Sequence, residues 1–178
     1  AALGPRFMNV SEKSHKQSDI NKKIGRINAI SGSAIFFKTE AFDDVGGFDE
    51  KIFLFFEEND LCARFTNKKY PIYQLNEIKV FHPKGVDKGV VKINQNKRLL
   101  LQNFYGWHYM WSKFYHYKKN KLYIFAYIYF FPVLLRIGLK IIFYKLIKSK
   151  IKRKKYLMRF KGLLSSIFNI SSHKRISL

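Results

Sequence analysis

Apolar and polar positions change their period along the chain, and the changes mark out its elements. Residues 1–28 are polar and loop-like, with Ser, Lys, Asn and Gln between Val10 and Ile27. Ala29 to Lys38 reads as a buried strand interrupted by Gly32-Ser33, and a glycine in a strand pattern marks a close approach by backbone or ligand. Thr39 is placed to cap a short helix over Glu40 to Val45 that ends at Gly46-Gly47. Phe53 to Lys68 predicts a helix whose opening acids (Glu57, Glu58, Asp60) and closing Lys68-Lys69 suit its macrodipole. Pro71 to Leu75 and Ile78 to His82 read as two short strands, with a loop starting at His82-Pro83-Lys84-Gly85.

Beyond this the period becomes helical. Leu99, Leu100, Phe104, Trp107, Met110, Trp111 and Phe114 predict an amphipathic, aromatic-rich helix from Ile93 to about Tyr117. Leu122 to Leu135 is an uncharged run of 14 residues containing Pro132. Arg136 and Lys140 interrupt the apolar pattern, which resumes at Ile141-Ile142-Phe143-Tyr144. A spanning helix needs ~20 apolar residues, and runs of ~10–14 lie in the interface, re-enter or sit in a core. The pattern favours an interfacial or re-entrant helix over a full span.

Charge sharpens this division. The 178 residues have room for one domain with a real core and a short appendage, and at 47% hydrophobic content they are not a disordered polyelectrolyte. Lys and Arg number 34 against 12 Asp and Glu, a net charge of +22 that calls for an anionic partner. Residues 1–87 carry 13 basic and 12 acidic side chains, whereas residues 88–178 carry 21 basic and none acidic. A compositional bias toward Lys, Ile, Asn, Phe and Tyr would raise the total charge without removing every acid from one half. Lys148 to Lys155 holds six cations in eight positions directly after the apolar stretch. Near an anionic leaflet each contributes about 1 kcal/mol, and the positive-inside rule puts them on the cytoplasmic side. The alternative use of this cluster is a disordered, solvated tail. The single cysteine, Cys62, excludes an intramolecular disulfide framework and a Cys-rich zinc site. The start, Ala-Ala-Leu-Gly-Pro, is expected to be neither a secretory signal nor a natural N-terminus.

The densest chemistry lies in Val45 to Arg64, where Asp49, Glu50, Glu57, Glu58 and Asp60 fall within 12 positions and four phenylalanines accompany them. Aromatic neighbours partly desolvate an acid, raise its pKa and suit it to general-base work. On a helix, Glu57, Asp60 and Arg64 share one face at i, i+3 and i+7, while Glu58 projects with Cys62. The same residues also suit a dipole-compensated helix start with an Asp60–Arg64 surface pair.

The run Gly32-Ser33-Ala34-Ile35-Phe36-Phe37-Lys38, then Phe42, Val45-Gly46-Gly47-Phe48-Asp49-Glu50, Phe53 and Phe56-Glu57-Glu58-Asn59-Asp60-Leu61-Cys62-Ala63-Arg64, resembles the family-2 glycosyltransferases. It is most similar to their bacterial rhamnosyltransferase-like branch, which builds cell-surface polysaccharide. Leu3-Gly4-Pro5-Arg6 and Val80-Phe81-His82 fit the same pattern, so the resemblance covers about residues 3–90. It implies the C-terminal part of a GT-A domain, an α/β Rossmann-like layer, and an inverting transfer of sugar from a nucleotide diphosphate to an acceptor hydroxyl. By the resemblance Glu58 is the catalytic base, Glu57 and Asp60 flank and orient it, and Asp60 is the fallback base. Gly32 and Ser33 line the sugar or acceptor pocket, where a side chain would obstruct, with Asp49 and Glu50 also on the substrate side. His82, 24 residues after Glu58, matches a histidine that helps hold a divalent metal, Mg or Mn, as a Lewis acid on the leaving diphosphate.

Two departures qualify the match. Most relatives carry Asp where this chain has Glu58, and a displaced carboxylate of ~1 Å can cost on the order of a hundredfold. The Asp-x-Asp motif that supplies the main metal ligands does not occur, so the chain reads as the part that follows the donor-binding half.

The expected organisation is therefore an acceptor-side catalytic part over residues 1–90, an amphipathic aromatic helix over 91–120, and an all-helical, membrane-associating tail over 121–178. Its partners would be a nucleotide-sugar donor, a lipid-linked saccharide acceptor and an anionic membrane surface, at the cytoplasmic face. Three other classes compete. A nucleic-acid-binding protein would use the charge and stack bases on Trp107, Trp111, Tyr115 and Tyr117, but no accompanying recognition motif is present. A glycosidase needs two carboxylates across a cleft, whereas these acids crowd one helix start. A basic membrane-binding module without chemistry needs only the second half of the chain.

Overall fold

The computed structural model describes residues 2–4, 23–30, 32, 34–80, 94–121 and 123–173. They form two compact units: Ala1–Asp49 with Glu57–Pro83, and Glu50–Phe56 with Lys84–Leu178.

The first unit holds four short strands, β1 (Ala2–Gly4), β2 (Ile24–Ile27), β3 (Phe36–Phe37) and β4 (Ile72–Leu75), and two helices, α1 (Thr39–Asp44) and α2 (Glu57–Asn67). The sheet order is β2-β4-β1-β3. β1 runs parallel to β4 with Leu3 opposite Tyr73, and antiparallel to β3 with Leu3 opposite Phe36. β2 is antiparallel to β4, Ile27 facing Ile72. The core is built from Ala41 and Val45 at the end of α1, Leu61, Cys62 and Phe65 of α2, and Ile30 and Ile72. Helical spacing turns each of these sets to one side.

Both helices of this unit end in the same way. Gly47 N–H bonds Phe42 C=O at 3.0 Å and Gly46 N–H bonds Asp43 C=O at 2.9 Å, the paired closure of a Schellman cap. Gly46 and Gly47 take φ of 81° and 63°, as their sequence position predicts. At the end of α2 the same pair runs from Tyr70 N–H to Phe65 C=O and from Lys69 N–H to Thr66 C=O, with Lys69 at φ 63°.

The expected α/β, Rossmann-like GT-A layer is not what the chain forms. Such a layer needs several parallel strands with crossover helices on both faces. Here the strands are two to four residues long, only β1 and β4 are parallel among those described, and helices dominate the chain. The reason is visible in the residues: alternation persists for only a few positions at 24–27 and 72–75, while helical periodicity runs almost unbroken from 95 to 167. Several local expectations shift as well. The strand expected over Ala29 to Lys38 is reduced to Phe36–Phe37, and residues 78–80 are not strand. Thr39 lies inside α1, whose N-cap is Lys38 without a side-chain bond.

The second unit is a bundle of three helices, α3 (Gln95–Asn120), α4 (Tyr123–Leu146) and α5 (Lys150–Ile167), in which each helix packs on the other two. Asn94 caps α3, its side chain accepting from Asn96 N–H at 3.1 Å. Met110 and Phe114 of α3, Ala126, Phe130 and Ile137 of α4, and Leu163 of α5 form the core. At Gly162 α5 lies so close to the backbone of Trp107 that a Cβ would not fit. α3, expected as a separate segment, shares this one unit with α4 and α5. The Lys148–Lys155 cluster is not a solvated coil: it runs from the Schellman-type end of α4, with Lys148 at φ 53°, into the first turns of α5.

α4 is long and apolar enough, by length and composition, to cross a membrane. Its 24 residues extend about 36 Å at 1.5 Å each. Pro132 sits on its exposed side, and the helix continues through it.

Trp107 and Trp111, considered above as base-stacking residues, are buried, and Trp111 Nε1–H donates to Ile170 C=O at 2.7 Å. They are core of the bundle, as their helical spacing suggested.

Candidate functional site

In the first unit the chain brings Gly32 and Glu58, 26 positions apart, into contact. Gly32 N–H donates to Glu58 Oε1 at 3.4 Å. The interaction follows from the start of α2: Glu58 is its second residue and projects toward Ile30–Gly32, on the side of Cys62. Burial pushes the Cys62 thiol up to about 11, with the Glu58 charge adding to the effect against a backbone hydrogen bond from Ile30. Cys62 is therefore an inert core side chain at neutral pH. A Cβ at Gly32 would lie 3.6 Å from the Glu58 carboxyl carbon, an ordinary contact. Against the protein itself an alanine therefore fits there, touching Glu58.

Glu58 Oε2 and Glu57 Oε2 are both buried without a hydrogen-bond partner among the described residues. Buried carboxylate oxygens are ordinarily satisfied, and an unpaired one keeps its capacity to accept a further hydrogen bond. Burial pushes Glu57 above the usual carboxylate range, helped by repulsion from Glu58 and opposed by its own backbone N–H. The sign of the consequence is fixed. The native state holds this proton to higher pH than the unfolded chain, so stability falls as pH rises through the native pKa. Glu57→Gln is expected to raise the melting temperature at pH 7, and the gain should vanish below the ordinary glutamate pKa. A pH series of thermal melts, with an equal gain at both ends, would contradict this.

Asp60 has a different environment from its neighbours. It is fully buried and accepts from Arg64 Nε at 2.9 Å, one helical turn on, while Arg64 also donates to the Val45 carbonyl that closes α1. The alternative of an Asp60–Arg64 surface pair is thereby corrected to a buried one. The role of fallback base is corrected too, because this carboxylate faces the core and is held by a guanidinium. Asp60 positions α2 against α1, and through α2 it positions Glu58.

The remaining expected residues do not join this group. Asp49 ends the first stretch of the first unit, and Glu50 is exposed and opens the second unit. Ser33 and His82 lie outside the described residues. Among those described, no group of three or more His, Cys, Asp or Glu is placed to hold a metal ion. The resemblance puts the main ligands of its divalent cation in the donor-binding half, and none of the chemistry below is routed through that ion.

Sequence reasoning missed the segment between the two halves of the motif. Phe53 to Phe56 was expected to be helical, yet it is an irregular segment of the second unit. Phe55 and Phe56 take φ of 66° and 68°, left-handed conformations that cost non-glycine residues roughly 1–2 kcal/mol each. Aromatic packing offsets that cost: Phe55 meets Tyr105 and Tyr109, and Phe56 meets Tyr109 and His116. Ser112 Oγ donates to Leu54 C=O at 2.7 Å, and Ser172 Oγ accepts from Phe53 N–H at 3.2 Å. The signal was present as four aromatic or apolar residues, FLFF, too continuous for an amphipathic helix start. Compared with models of known protein families, with curated proteins and with solved structures, the chain matches none of them.

Proposed function

We propose that this chain is the acceptor-side part of a glycosyltransferase that works at an anionic membrane surface, with Glu58 as its base. The observation that carries the reading is the Glu58 carboxylate, fixed at one oxygen by Gly32 N–H and unpartnered at the other. In the proposed step Glu58 removes the proton of the acceptor hydroxyl as that oxygen attacks the anomeric carbon of a nucleotide sugar. The bond from that carbon to the diphosphate breaks, and its electron pair leaves with the nucleoside diphosphate, inverting the centre. Glu57, next to the base in sequence, supplies a desolvated carboxyl at the start of the same helix.

The membrane part rests on α4. At about 100° per residue, Ala126, Phe130, Val133, Leu134, Ile137 and Ile141 turn to the bundle core. Ile124, Ile128, Phe131, Leu135, Leu139, Ile142 and Leu146 form an exposed stripe along its whole length. Tyr127 and Tyr129 lie on the shoulders of that stripe, with Arg136, Lys140 and Lys145. An apolar stripe with tyrosines and cations along its edges suits a helix lying in the interface, its cations toward anionic headgroups at the cytoplasmic face. A lipid-linked saccharide acceptor would unite the two units' roles, because such a substrate is confined to the surface on which the bundle would lie.

The full-length protein in membrane fractions is expected to move radiolabelled sugar from a nucleotide diphosphate donor into lipid-extractable material. Leu135→Asp/Leu139→Asp is expected to shift the protein to the soluble fraction and cut labelling at least tenfold. Labelling that never depends on a nucleotide sugar would contradict the catalytic reading. A double variant that stays membrane-bound would contradict the membrane one.

A further inference from the structure

Between the first turns of α3 and of α5 the bundle leaves a cavity of about 360 Å³, lined by Asn96, Leu99, Leu100, Asn103, Lys150, Ile151 and Lys154. Its size lies within the range of small-molecule sites, and its walls combine apolar side chains with a few polar ones, as such sites do. We propose that this cavity binds the headgroup of an anionic membrane phospholipid, with its phosphate between Lys150 and Lys154. The inference deepens the membrane-surface part of the proposed function and rests on it.

Three observations select this ligand chemistry. Lys150 and Lys154 both line the cavity and are one helical turn apart on α5, a spacing that lets two cations share one phosphate. No carboxylate lies within residues 88–178 to compete for them. Asn96 and Asn103 of α3 also line the cavity, and an amide side chain carries donors of the kind that phosphate and glycerol oxygens accept. Leu99, Leu100 and Ile151 make the rest of the lining apolar, which suits the first carbons of an acyl chain and adds contacts that inorganic phosphate alone does not make. Exposed Leu146, Ile147 and Ile151 continue the apolar surface along the chain from the α4 stripe into this wall. A lipid seated here would therefore have its chains on the face that α4 offers to the bilayer.

The test uses the full chain and vesicles of phosphatidylcholine, with or without 20% phosphatidylglycerol, read by flotation. Lys150→Gln/Lys154→Gln is compared with Lys152→Gln/Lys155→Gln, which removes the same charge outside the cavity. The proposal expects the first pair to lower the preference for phosphatidylglycerol at least tenfold more than the second. Asn103→Phe, which fills the cavity without changing charge, is expected to remove the preference while binding to the vesicles persists. Equal losses from the two lysine pairs, or an unchanged preference in Asn103→Phe, would overturn the site and leave the membrane reading standing. Competition by inorganic phosphate as strong as that by dihexanoyl phosphatidylglycerol would overturn the lipid as ligand. Failure of the unmutated chain to float with either vesicle would remove the membrane reading and this one together.

Discussion

Gly162→Ala is expected to destabilise the helical bundle by about 3 kcal/mol or more, at the upper end of overpacking costs. A Cβ built on Gly162 would overlap the carbonyl oxygen of Trp107 and stand 2.9 Å from its carbonyl carbon. The obstacle is backbone in the middle of α3, so neither a rotamer change nor a side-chain shift relieves it. The two helices would have to separate, loosening Leu163 from a core in which it is completely buried. Gly106, also in α3, provides the internal comparison. There a Cβ would meet only the flexible Arg159 side chain, 3.4 Å from Cγ. Gly106→Ala should be neutral or stabilising, because alanine is the better helix former by about 1 kcal/mol. Thermal melts of the two variants test the assignment of α5 as an integral part of the bundle. Equal melting temperatures would contradict it.

The second large effect is at Asp60. Removing one partner of a buried ion pair leaves the other charge unpaired, at a cost of about 3–5 kcal/mol. Asp60→Ala should approach that range, since Asp60 is fully enclosed and Arg64 is largely so. The companion variant Asp60→Ala/Arg64→Met should recover a substantial part of the loss, because no charge then remains stranded. Denaturant titrations of the two single variants and the double variant give the coupling directly. Additive losses would show that Asp60 and Arg64 do not act as a pair.

Several of these features were legible in the residues. Helical spacing from Leu99 to Phe114 correctly predicted α3, whose buried face holds Trp107, Met110, Trp111 and Phe114 but not Leu100, which is exposed. The double glycine correctly marked the end of α1, since positive φ at successive positions favours that residue type. What failed to read was long-range. Short apolar runs around β2 and β3 do not reveal how few residues pair, and strand pairing depends on partners distant in sequence. The register of Ile24 on Leu75 or Ala2 on Phe37 leaves no local trace. The resemblance therefore suggested a parallel layer that the chain does not build. The burial of Asp60 was hidden for a similar reason. An i, i+4 acid–base pair looks alike on an exposed face and a buried one, and only α1 closing over it decides between them. Phe55 and Phe56 were misread because left-handed phenylalanines occur only where tertiary packing compels them. The aromatic rings that hold them come from α3, some fifty residues away.

The central claim is that Glu58, and not its neighbours, carries the proton transfer. In the full-length protein, Glu58→Gln keeps the size of the side chain and removes its basicity. The most direct measurement is therefore the rate of sugar transfer by Glu58→Gln at an unchanged melting temperature. The account predicts a loss of at least about a hundredfold, the scale of a missing general base. Transfer within a few-fold of the unmutated protein would contradict it.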